Sequence, residues 1–114
     1  MNNPPTVKTF TVEFTVTLTA TGDDSFNHVP TVVDWTIPAN MGITVVDETE
    51  QTITAFQNDV VAQWAVAFET TLPVGDAVDE IRRTLLIDWH GNGCHGDHFE
   101  STGVDVALNF DSIA

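Results

Sequence analysis

The 114-residue chain reads as all-β, an antiparallel sandwich of about seven strands with one short helix. Three observations carry this. The stretch "FTVEFTVTLTAT" (10–21) alternates apolar and polar residues without error. Further alternating segments recur behind short turn-forming stretches, and helical periodicity is confined to "GDAVDEIRR".

Taken in order, the first strand directs Phe10, Val12, Phe14, Val16, Leu18 and Ala20 one way and threonines with Glu13 the other. Threonine has high strand propensity, so both faces favour the same conformation. "TGDDSFN" ends it with turn chemistry. "VVDWTIP" (32–38) places Val33, Trp35 and Ile37 on one face, with a proline at either flank. "GITVVDE" and "TITAFQ" are shorter strands, and "VVAQWAVAFETTL" (60–72) aligns Trp64, Val66, Phe68 and Leu72. In "GDAVDEIRR", Asp76 is the expected N-cap, Asp79 and Glu80 suit the positive first turn, and Val78, Ile81 and Leu85 share a face. "TLLIDWHG" and "GVDVALNF" complete the strands, the last alternating Val104, Val106, Leu108 and Phe110.

An offset of 54 residues places "FTVEFTVTL" on "WAVAFETTL" and "VVDW" on "LIDW", with Val12 on Val66, Asp34 on Asp88 and Trp35 on Trp89. The chain is read as a single domain 1–114 with an N-terminal arm (1–8), and the offset is open to two readings, a duplication into halves 7–60 and 61–114 or coincidence among Thr- and Val-rich strands. Two β-α-β copies would build the alternative, a ferredoxin-like α+β fold. Pro30 argues against it, since a helix from Asp24 to Trp35 would carry that proline in its interior at a cost of ~3 kcal/mol.

At "VTLTATGDDSFNHVPTVVDWTIP" the first half resembles bacterial-type immunoglobulin-like domains, in which a "VTLTAT" strand, a polar turn and a Trp-bearing strand follow in this order. The resemblance implies an atypical immunoglobulin-like sandwich with Trp35 as its buried tryptophan. It also implies a place on the outside of tailed-virus particles, where such domains are displayed.

Charge narrows the partners. Asp and Glu number 17 against three Lys and Arg, a formal net charge of -14, which argues against direct contact with nucleic-acid phosphates or anionic lipid. Such a surface suits concentrated salt or, alternatively, imitates nucleic acid. "MNNPPTVK" lacks the basic and apolar regions of a signal peptide, and no run reaches the ~20 apolar residues of a membrane span, so a soluble, unexported protein is expected. One cysteine, Cys94, precludes an internal disulfide.

The densest chemistry lies in "WHGNGCHGDHF" (89–99). His90, Cys94, His95 and His98 are donors of the type zinc takes, with Asp97 or water as a substitute ligand. Against zinc, neighbouring Cys94 and His95 do not readily face one centre, and structural sites usually draw ligand pairs from separated turns. The competing reading is a glycine-rich connection with polar filler. Under the 54-residue offset the loop answers to "WTIPANMGITV", which has neither histidine nor cysteine, so the scaffold closes without them. Cys94 beside His95 lacks an orienting third group for nucleophilic catalysis. The acidic runs "GDD", "DETE" and "GDAVDE" lack calcium-loop spacing.

The expectation is therefore a non-enzymatic virion structural protein (capsid decoration, turret or tail subunit) of a virus of a halophilic host. It would be assembled in the host cytoplasm, and its partners would be copies of itself and other virion proteins. An acidic nucleic-acid mimic inhibiting a host defence enzyme is the alternative, and a metal-binding module the third.

Overall fold

A computed structural model describes residues 6–22, 25–94 and 98–109. Two long strands form its centre. β1 (Lys8–Ala20) and β5 (Asp59–Thr70) run antiparallel in a register that sets apolar residue against apolar residue. Phe10 faces Phe68, Val12 faces Val66, Phe14 faces Trp64, Val16 faces Ala62 and Leu18 faces Val60. All ten are buried. Each large side chain removed from water contributes about 1.5–3 kcal/mol, which makes this double row the main source of stability.

The flanks differ. β7 (Phe99–Asn109) lies along β1. On the other side β3 (Ile43–Glu48) and β4 (Thr52–Phe56) lie end to end along β5, the first against residues 66–70 and the second against 59–63. Opposite Ala65 the ladder is held by one residue. The Thr49 N–H donates to the Ala65 carbonyl and the Thr49 hydroxyl accepts the Ala65 N–H, both at 2.9 Å. The result is a five-stranded sheet, order β3-β5-β1-β7 with β4 also on β5.

A second layer covers its apolar face. It consists of a ribbon of β2 (Val32–Thr36) paired with β6 (Leu86–His90), the helix α1 (Val74–Thr84) and a 3-10 turn at Ser25–His28. Trp35 anchors the ribbon, stacked on Phe14 at 5.5 Å and edge-on to Phe68 at 5.8 Å. Ala77, Val78 and Ile81 bury the inner face of α1, and Phe26 packs edge-on against Phe99 at 5.8 Å. The fold is all-β and sandwich-like, with unequal layers because the pairing of β1 with β5 is far longer than that of β2 with β6.

The opposite sheet face has no second layer among the described residues. It carries Thr9, Thr11, Glu13, Thr15, Thr17 and Thr19 from β1, and the Thr19 hydroxyl meets Asp59 and Thr102 at 2.8 Å each. Val12 faces Val66 in the large sheet and Asp34 faces Asp88 at the middle of the ribbon, two pairs each 54 residues apart in sequence.

The helix start departs from the expected cap. Pro73, not Asp76, is the N-cap, and no side chain caps the helix. The Pro73 carbonyl accepts the Ala77 N–H at 3.0 Å, and a φ of -55° suits the entry to a helix. Asp76 therefore sits inside the first turn. Asp79 and Glu80 instead pair with Arg82 and Arg83 one turn on.

Candidate functional site

The histidine-cysteine loop leaves β6 at His90 and re-enters β7 at Phe99. Its first turn is tight: Gly91 has φ +105° and its carbonyl accepts the Cys94 N–H at 2.9 Å. Asn92 and Gly93 also take positive φ. Glycine suits two of these three positions without steric cost.

The three candidate ligands among the described residues have different neighbours. His90 projects from the exposed face of the ribbon and meets Asp34 across the strand pair, Nε2 to Oδ2 at 2.9 Å. Cys94 is half-buried and packs against the core. His98 stacks face to face on His28, ring centroids 4.4 Å apart and planes 4° from parallel. His95, with Asp97, lies outside the described residues. No group of three or more His, Cys, Asp or Glu side chains able to hold a metal occurs among the described residues. His28 is the partner that sequence reasoning missed. It comes from the 3-10 turn far away in sequence, and its Nδ1 lies 3.4 Å from the Asn92 carbonyl oxygen.

Asp34 and Asp88 sit directly opposite each other on the exposed ribbon face. Asp88 accepts the N–H of Trp89 at 2.8 Å while Asp34 takes His90, so the two like charges are engaged separately.

A second feature lies along the other edge of β2. A groove of about 740 Å³ runs between this edge and the corner where β3 gives way to β4. Two side chains span it. Gln51 bonds both backbone groups of Val33, and the Trp35 indole donates to Glu48 at 3.1 Å. Val32 and Val45 are exposed beside it. The groove thus combines a strand edge bonded by a side chain, apolar side chains and carboxylates.

A further open strand edge is that of β7, whose outer side carries no strand among the described residues. Arg82 donates from Nε and Nη2 to the Val106 carbonyl at 3.1 and 2.8 Å. Two donors on one outward carbonyl block the addition of another strand at that point. Two residues earlier Val104 is 47% exposed.

No protein-family model, curated protein or solved structure matches the chain. No helix among the described residues is long and apolar enough to cross a membrane.

Proposed function

We propose that the chain is a non-enzymatic structural subunit of a virus particle, a capsid decoration, turret or tail component from a salt-loving host, docked to its neighbours through strand edges. The observation that carries this reading is the set of open edges on the long, well-packed sheet and on the ribbon that covers it. The outer side of β7, the β3 and β4 flank and the outer side of β2 carry no further strand among the described residues. Exposed apolar side chains lie on them: Val104, Val45, Val46 and Phe56. Long bare edges aggregate unless they are blocked or have a partner, and here one guanidinium guards one carbonyl.

The acidic surface supports the same reading, since repulsion between like-charged subunits keeps a crowded shell soluble and suits molar salt. The likeness of the first half to immunoglobulin-like domains displayed on tailed viruses points the same way. Acids on both sides of the molecule weigh against a nucleic-acid mimic, which needs them gathered on one face. Glu13, Asp47, Glu69 and Asp105 belong to the open sheet face, whereas Asp34, Asp88 and Glu48 belong to the ribbon and groove.

Sedimentation of the purified chain in molar salt, alone and with empty shells, tests the proposal. Self-association or co-sedimentation with shells is the expected result. A strictly monomeric chain that ignores the shells overturns it.

A further inference from the structure

The outer edge of β2 is half of a strand pair. β6 occupies the other edge, and Val33 turns its N–H and C=O into the groove. The Gln51 carboxamide takes both, its Oε1 accepting the Val33 N–H at 2.9 Å and its Nε2 donating to the Val33 carbonyl at 2.5 Å. This is the two-bond exchange that an antiparallel neighbour makes with a residue of a hydrogen-bonded pair. By the alternation of an antiparallel edge, Trp35 presents its backbone the same way. One side chain therefore imitates a fragment of a strand for which the groove has room.

Charge selects the occupant. Glu48 and Glu50 line the groove, and Asp34 stands on the β2 side. A second copy of this chain has little to offer them, since the sequence holds three Lys and Arg in all. Lys8 bonds the Leu72 carbonyl, and Arg82 and Arg83 pair within α1. A cationic partner gains attraction where a second copy meets repulsion.

The geometry points to a strand-accepting site: an extended segment of a partner protein, with Lys or Arg at alternate positions, adds to the outer edge of β2 and displaces the Gln51 carboxamide. Main-chain bonds to Val33 and Trp35 fix its register, and alternate side chains meet the carboxylates. This rests on the assembly reading only in taking the partner to be a protein. Particle co-sedimentation and the peptide experiment below fail independently of each other.

The test is a backbone-amide NMR titration of the whole chain with the synthetic peptide acetyl-KVKTKVK-amide and its all-Glu counterpart. The lysine peptide produces saturable shifts centred on Val33, Trp35 and the Gln51 side-chain amide, weaker in molar salt, and the glutamate peptide produces none. Gln51→Ala tightens binding about fivefold because an internal competitor is gone. Glu50→Lys, at an exposed position, weakens it about tenfold. Absence of saturable shifts up to about 1 mM lysine peptide, or equal response to both peptides, overturns the proposal. So does weaker binding in Gln51→Ala with shifts spread over β2 and β6, the signature of a side chain that only holds the ribbon in place.

Discussion

Gly91→Ala is the sharpest probe of how the loop is fixed to the scaffold. An alanine Cβ there would lie 1.9 Å from the Thr31 hydroxyl oxygen and 3.0 Å from both Thr31 Cβ and Thr31 N. Rotating the hydroxyl away leaves the two closer-held atoms in place. The Thr31 N–H is bonded to the His90 carbonyl at 3.0 Å and the Gly91 carbonyl to the Cys94 N–H at 2.9 Å, so neither segment yields freely. A side chain at φ +105° adds about 1–3 kcal/mol of backbone strain, and the forced contact about 1 kcal/mol more. The sum is about 3 kcal/mol, or roughly 10 °C in Tm for a domain of this size. Urea unfolding followed by tryptophan fluorescence measures it. Adding Thr31→Ala removes the nearest atom and recovers no more than about 1 kcal/mol, because the strained φ persists. Gly93→Ala, at φ +68° with an ordinary contact to His28, costs about 1 kcal/mol. Gly91→Ala within about 0.5 kcal/mol of the parent protein would refute the reasoning.

Phe14→Ala removes the ring shared by Trp35, Trp64 and Phe68 and destabilises by about 4 kcal/mol, measured by the same unfolding curves. Arg82→Ala bares the Val106 carbonyl and raises concentration-dependent association in sedimentation velocity, while Arg82→Lys, lacking the fork, restores the block only partly. Elemental analysis of protein made without an affinity tag is expected to find well under one zinc per chain, since Asp34 engages His90 and His28 stacks on His98. One equivalent of zinc, lost in His95→Ala, would instead establish the loop as a metal site.

Much of the architecture was legible because alternation is a local signal. "FTVEFTVTL" specified both faces of β1, and its buried residues are the alternate ones. The alanines of β5, ambiguous by themselves, resolve into strand because Ala62 faces Val16 while Ala65 and Ala67 point to the open face. Pro30 stops the turn at Ser25–His28 from growing into a helix. The helix starts earlier than the sequence suggests because an aspartate three residues further on is a better cap by propensity than a proline, and propensity says nothing of the core contact made by Val74. Partners that depend on the path of distant segments were beyond reach. Neither the stacking of His28 on His98 nor the Gln51 bridge to Val33 leaves a mark in local sequence. The neighbours of the loop's two described histidines come from the same long-range geometry: the ribbon brings Asp34 to His90, and the 3-10 turn brings His28 to His98.

Quantitative mass spectrometry of particles purified from cells that make this chain tests the central claim most directly. The account predicts many copies per particle in a fixed ratio to the main shell protein, retained after washing in molar salt. Absence from washed particles, with the chain left wholly in the cell lysate, would contradict it.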